Sequence, residues 1–173
     1  KGKRNGKGEH RYSNGDEYNG EWGNHQPHGL GRYSFQTGGS YEGQFDAGTF
    51  NGSGIRVWDD GSVYEGEWKG GFREGKGQHR FSSGDKYDGE WRNDKPHGCG
   101  RFVFHTGGFF VGQFENGELR CRNDGSVWKK NGKKRGEMAK ANINITTAMN
   151  TKWSAGTVDW SALTSRQRSP RVS

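Results

Sequence analysis

Aliphatic side chains are scarce in this chain. All apolar residues together make up 27% of the sequence, aromatics alone make up 13%, and methionine occurs twice. A conventional aliphatic core cannot be built from that stock, so rings must supply most of the buried area, at about 150–250 Å² each. Cys99 and Cys121 are too few for a disulfide scaffold, and free thiols in a reducing compartment are expected. No apolar run approaches the roughly 20 residues of a helical membrane span, and no secretory h-region opens the sequence. Glycine is abundant instead, with 32 residues that lack the three-residue period of collagen.

The net charge of +7 is unevenly spread. Residues 1–120 hold 16 Lys and Arg against 17 Asp and Glu, whereas residues 121–173 hold 11 against 3. The first part is neutral and the last carries all the basicity.

The glycines have a register. Gly-x-Gly recurs every 23 residues, at Gly6/Gly8, Gly29/Gly31, Gly52/Gly54, Gly75/Gly77 and Gly98/Gly100. Each pair is followed at constant offset by a turn glycine and then by aromatic-x-Gly-x-aromatic: Tyr18 to Trp22, Tyr41 to Phe45, Tyr64 to Trp68, Tyr87 to Trp91 and Phe110 to Phe114. Five copies without an insertion describe one structural unit repeated as an array. A longer repeat lies over it: residues 6–45 match residues 75–114 at 25 of 40 positions, as duplication of a three-unit block would leave.

Each unit reads as a β-hairpin. Asp60-Gly61 is a turn flanked by β-formers, and Asn14-Gly15, Thr37-Gly38, Ser83-Gly84 and Thr106-Gly107 take the same place. The first strand carries Tyr12, Phe35, Trp58, Phe81 and Phe104, an even number of residues from the second-strand rings. A two-residue loop would put the two ring sets on opposite sides. A three-residue loop such as Asp59-Asp60-Gly61 puts them together, and this version is predicted. The strand glycines then leave room for rings to lie flat over the backbone. The expected fold is all-β: an elongated single-layer antiparallel sheet of five to six stacked hairpins, about ten strands and roughly 50 Å long. It spans residues 1–128, with 119–128 as a degenerate cap, and an irregular basic tail follows over 129–173.

The pattern Tyr-x-Gly-Glu-Trp, a polar loop, Pro-His-Gly-x-Gly, an aromatic strand and Asp/Asn-Gly resembles the MORN repeat (membrane occupation and recognition nexus). It is written almost in full in Tyr18–Gly31 and Tyr87–Gly100, with Phe45 and Phe114 replacing Trp and with Asn51 and Glu74 replacing His. The resemblance implies a scaffolding or binding role, of the kind MORN arrays have in cytoskeletal, ciliary and membrane-junction proteins. Catalytic domains that accompany some MORN arrays find no room in this chain.

Catalytic readings fare poorly. His25 and His28, or His97 with Cys99, lack the spacing of a structural zinc site, so no metal is expected. Glu65/Glu67 and Glu21/Glu90 repeat with the array on the solvent side of strands. The Gly-x-Gly pairs lack the Lys-Ser/Thr of a phosphate loop and precede a strand. No enzyme activity and no cofactor are expected.

The ring stripe is the candidate partner-binding face: Tyr18, Trp22, Tyr41, Phe45, Tyr64, Trp68, Tyr87, Trp91, Phe110 and Phe114. Stacking between units would cover part of it and leave an exposed apolar strip for a partner helix, a second copy of the chain in a homodimer, or the chain's own tail. The tail offers basic contacts at Lys129, Lys130, Lys133, Lys134, Arg135, Arg166, Arg168 and Arg171. Such a segment is expected to take order only from a partner, suiting an acidic surface such as tubulin or anionic lipid. Nucleic acid is disfavoured because the sheet is neutral. The sequence thus points to a non-enzymatic scaffold in a large cytoskeletal or axonemal complex of a cilium or flagellum, within the cytoplasm. The alternative is a peripheral membrane adaptor that binds anionic phospholipid.

Overall fold

Two kinds of turn, alternating along the chain, build the whole array in the computed structural model, which describes residues 4–120. Eleven strands follow one another through a single open antiparallel sheet without a crossover. They are β1 (Gly6–Arg11), β2 (Glu17–Gly23), β3 (Gln26–Ser34), β4 (Ser40–Asp46), β5 (Thr49–Val57), β6 (Val63–Lys69), β7 (Phe72–Arg80), β8 (Lys86–Arg92), β9 (Lys95–Val103), β10 (Phe109–Glu115) and β11 (Glu118–Arg120). The described residues contain no helix.

The first turn is the predicted three-residue loop. Trp58 N–H donates to Ser62 O at 3.0 Å, Gly61 N–H donates to Trp58 O at 3.1 Å, and Gly61 sits at φ 79°. Tyr12–Asp16, Phe35–Gly39, Phe81–Asp85 and Phe104–Gly108 repeat that pattern. It is a tight turn closed by a left-handed glycine, and its odd length keeps both aromatic sets on one side.

The second turn corrects the expectation of a polar loop between units. Only two residues link β2 to β3, Asn24 at φ 50° and His25 at φ 70°, and both lie in the left-handed region. Asn93 and Asp94 do the same, as do Gly70 and Gly71. Paired positive φ values are the mark of the primed hairpin turn whose twist matches the flanking strands. The residues read as loop, such as Gln26-Pro27-His28, are the first third of a nine-residue strand. These turns also stack: the second turn residue donates to a carbonyl one unit earlier, His25 to Arg4, Gly48 to Pro27, Gly71 to Phe50, Asp94 to Arg73 and Gly117 to Pro96. One edge of the ribbon is stitched throughout its length.

The two glycines of each pair have separate duties. The first is a bulge: opposite Gly20–Trp22, the register jumps from Gly31 to Pro27, with Gly29 at φ 62° inside the jump. The second is a floor for a ring. A Cβ on Gly77 would lie well inside contact distance of the Tyr64 hydroxyl and ring carbons, and Gly31, Gly54 and Gly100 stand in the same relation to Tyr18, Tyr41 and Tyr87. Gly8, Gly20, Gly31, Gly43, Gly54, Gly66, Gly77, Gly89, Gly100 and Gly112 pair in unbroken succession, so a row of glycine crosses ten strands. The cap expected over 119–128 is described only as far as Arg120, in the short strand β11; its remainder lies outside the described residues.

Candidate functional site

Nine of the ten second-strand rings form one continuous column, and the tenth, Phe110, meets Phe104. Trp22, Tyr18, Phe45, Tyr41, Trp68, Tyr64, Trp91, Tyr87 and Phe114 meet edge to face in that order, with centroids 5.0–5.4 Å apart. Within a unit the tyrosine and the ring four residues on touch; between units the same tyrosine touches the next ring along. Every ring therefore closes an interface, at about 0.5–1.5 kcal/mol per contact beyond its buried area. The polar atoms are also placed. Tyr18, Tyr41, Tyr64 and Tyr87 donate their hydroxyls to the carbonyls of Glu21, Gln44, Glu67 and Glu90 at 2.7–3.0 Å. Trp22, Trp68 and Trp91 donate Nε1–H to Gly8, Gly54 and Gly77 carbonyls at 3.0–3.2 Å. Burial raises the Tyr18 phenol to about 12 and pushes the phenols of Tyr41, Tyr64 and Tyr87 upward as well.

This packing changes the expected apolar strip. Tyr18, Trp22, Tyr41, Phe45, Tyr64, Trp68, Tyr87, Trp91, Phe110 and Phe114 are only 0–7% exposed. They pack against one another and against the first-strand aromatics Tyr12, Phe35, Trp58, Phe81 and Phe104 on the same side. The stripe is the core of the array, and its rings offer little free surface. The eight basic tail positions, Lys129, Lys130, Lys133, Lys134, Arg135, Arg166, Arg168 and Arg171, lie outside the described residues.

Two core positions escaped the sequence reading. One lies two residues before each first-strand aromatic: Tyr33, Arg56, His79 and Phe102 are 4%, 5%, 5% and 1% exposed. The other follows the two-residue turn, where Phe50 and Arg73 are 2% exposed. Phe50 stacks flat on Tyr41 at 3.6 Å, and Arg73 takes the corresponding place beside Tyr64 and Trp91, its guanidinium carbon 5.8 and 4.6 Å from their centroids. Strand parity could have found the first set, since residues 56 and 58 share a face. Arginine and histidine hid it, because they read as solvent-facing.

Arg73 is held by its surroundings. Its Nε donates to Asp94 Oδ1 and its Nη2 to Asp94 O, both at 3.0 Å, while Nη1 lies 3.1 Å from His79 Nδ1. A guanidinium can only donate, so His79 Nδ1 accepts and carries no proton. Desolvation, with help from Arg73, lowers His79 to about 3. The stability consequence has a definite sign. The unfolded histidine gains its proton near the ordinary 6.5, the folded one only near 3, so stability is complete above pH 6.5 and is lost as pH falls through that window. The slope reaches about 1.4 kcal/mol per pH unit for one proton. His79→Phe, which copies Phe102 one unit on, is expected to flatten this acid limb. Urea midpoints measured from pH 7 to pH 4 in both proteins test it; parallel curves would refute a buried neutral His79.

The opposite face is open. A groove of about 980 Å³ crosses the first seven strands over the glycine row, its walls formed by residues including Leu30, Arg32, Glu42, Ile55 and Glu65. Leu30 and Ile55 are 61% and 43% exposed, and Arg32 faces Glu42 at 3.6 Å. Glu67 and Glu90, read as plain solvent residues, serve the bulges, and the amide of Gln44 does the same. Glu67 Oε1 accepts from Lys76 N–H at 3.0 Å, Gln44 Oε1 from Ser53 N–H at 2.9 Å and Glu90 Oε1 from Cys99 N–H at 3.4 Å. Among the described residues, no three His, Cys, Asp or Glu side chains converge as metal ligands.

No curated protein matches the chain significantly. Among solved structures, it is similar to the SAS-4 (dCPAP) TCP domain of Drosophila melanogaster, solved in complex with a proline-rich motif of Ana2 (dSTIL), at 14% identity over 70% of each chain with a TM-score of 0.39. The MORN repeat model matches in five consecutive segments, residues 1–17, 18–40, 41–63, 64–86 and 87–109. That family is a non-catalytic repeat module of protein and membrane interaction, and its matches fall in phase with the 23-residue unit, so this chain belongs to the MORN repeat family.

Proposed function

We propose that the chain is a non-enzymatic scaffold whose array docks a partner polypeptide in the glycine-floored groove. The observation that carries this reading is the contrast between the two faces. One face is consumed by a packed ring column; the other keeps a broad groove with two large aliphatic side chains, Leu30 and Ile55, standing in water. Docking on the rings would require prising the spine of the array apart. Backbone without side chains lets a partner approach closely, and the mixed charges of Arg32, Glu42 and Glu65 give polar selectivity along the rim. A cytoskeletal assembly, in an axoneme or elsewhere in the cytoplasm, belongs to the same proposal. The basic tail would act there as a second contact on an acidic neighbour. The membrane-adaptor alternative rests on the cluster from Lys129 to Arg135.

The double substitution Leu30→Glu and Ile55→Lys tests the groove. Both positions are exposed, so the melting temperature is expected to stay within a few degrees of wild type. Co-purification of partners from native cell extract is expected to fall at least about tenfold, as loss of a small apolar anchor pair implies. An unchanged set of partners would overturn the groove assignment. Binding of the variant and wild type alike to phosphatidylserine vesicles, and to nothing else, would favour the membrane reading.

A further inference from the structure

The third unit departs from its siblings at two neighbouring core positions on the ring face. The place of Arg56 is taken elsewhere by His10, Tyr33, His79 and Phe102, and that of Trp58 by Tyr12, Phe35, Phe81 and Phe104. The polar siblings Tyr33 and His79 are satisfied: Tyr33 donates its hydroxyl to Asp16 at 2.8 Å, and His79 accepts from Arg73. Phe102 has nothing to satisfy. Arg56 is different. It is 5% exposed, and its Nε and Nη1 are buried with no hydrogen-bond partner; Trp58 Nε1 is buried and unpartnered as well. The two side chains adjoin, with the Arg56 guanidinium carbon 3.6 Å above Phe35 and 5.6 Å from the Trp58 ring centroid.

Ring faces attract a guanidinium but do not accept its in-plane N–H groups. The nearby carboxylates do not take up these donors. Asp16 takes hydrogen bonds from Tyr33, Asn14 and Gln36, and Asp59 Oδ1 takes the Asp60 N–H. Among the described residues the buried side-chain nitrogens without a partner are these three and His97 Nδ1, which stands alone in another unit; three adjoining in one unit point to an acceptor from outside the chain.

We propose that this spot is a receptor for a single carboxylate, presented by an Asp or Glu side chain of a partner polypeptide, with Arg56 and Trp58 as donors. The charge count favours a carboxylate over a phosphate. Arg73, 5.6 Å from the same indole, is already matched by Asp94, which leaves Arg56 as the cation here whose N–H groups lack acceptors. Asp16 and Asp59 stand close enough to act on Arg56 and oppose any further anion, a doubly charged phosphate more strongly than a singly charged carboxylate. Trp58 is half-buried, and Asp59 and Asp60 beside it are exposed. The site lies on the ring face and does not depend on the groove reading.

The test uses the ¹⁵N-labelled full chain and sodium acetate as probe, with sodium chloride at matched ionic strength as control. The Trp58 indole and Arg56 Nε–H resonances are expected to shift saturably with acetate in the millimolar range. Arg56→Tyr, which restores the residue of the equivalent position 33, is expected to fold and to weaken acetate binding about tenfold or more, as loss of a charge-assisted hydrogen bond does. Should that variant not fold, Arg56→Lys is the second choice, keeping the charge while changing the donor set, with the same loss expected. Absence of a saturable shift, equal shifts with chloride, undiminished binding in the variant, or tighter binding of inorganic phosphate would each overturn the proposal. Groove docking is read separately by the Leu30 and Ile55 substitutions, so either reading can fail alone.

Discussion

Tyr64→Ala is expected to lower the unfolding free energy by about 3–5 kcal/mol, the range for removing a fully buried aromatic side chain. Tyr64 is 0% exposed and sits at the centre of the column. It contacts Trp68 in its own unit and Trp91 in the next, at 5.0 and 5.1 Å, and donates to Glu67 O. A ring that closes two interfaces cannot be replaced by one neighbour relaxing. Tyr64→Phe isolates the hydroxyl and is expected to cost about 1 kcal/mol. Because an array couples mainly nearest neighbours, the alanine variant should also unfold less cooperatively, the blocks on either side separating. Urea titrations followed in parallel by tryptophan fluorescence and far-ultraviolet circular dichroism report both effects. A loss below about 1 kcal/mol with coincident transitions would show that the column is not the spine.

The reasons that make Tyr64 central were partly visible in the sequence. The 23-residue register, the hairpin tips, their three-residue loops and the one-sidedness of the rings follow from parity and turn chemistry, and Asp59-Asp60-Gly61 closes as that arithmetic requires. The role of Gly77 beneath Tyr64 follows too, because only a missing Cβ leaves space for a ring lying flat. The back turns were not legible. Asn24-His25, Ala47-Gly48, Gly70-Gly71 and Asn93-Asp94 share a backbone conformation without sharing residues, and the following Pro27 or Pro96 disguises a strand as a loop. Complete burial of the stripe was equally hidden. Whether rings on a single-layer sheet face solvent or one another depends on how neighbouring units interlock, and no one unit contains that information. The groove is the converse of the same fact. A row of glycine looks like ring-packing space from one side, and the clearance it leaves on the other side emerges only when ten strands align.

Asp94→Ala is the second substitution with a large expected effect. Arg73 is 2% exposed, and Asp94 supplies the side-chain oxygen that meets its Nε and its backbone N–H, together with the carbonyl that meets Nη2. Desolvation already lowers the Arg73 pKa, and Asp94 is the leading influence opposing that shift. Removing the carboxylate leaves a buried cation without its counter-charge, a change that costs about 3–5 kcal/mol in comparable sites. The turn adds little to that figure: at φ 64°, Asp94 occupies a conformation that alanine adopts at modest cost, and Asp94→Asn separates the two contributions by keeping the turn while removing the charge. The array supplies its own rescue. One unit earlier, Phe50 fills the place of Arg73 beside a Gly70-Gly71 turn that has no carboxylate. Arg73→Phe combined with Asp94→Asn should therefore recover at least half of the stability lost in Asp94→Ala, because a well-packed apolar pair often equals a buried ion pair. Chemical denaturation of the three variants and wild type at pH 7 decides the matter. A loss under about 1 kcal/mol in Asp94→Ala would mean that the guanidinium finds water when its partner is removed, and that the fourth unit is looser than its packing indicates.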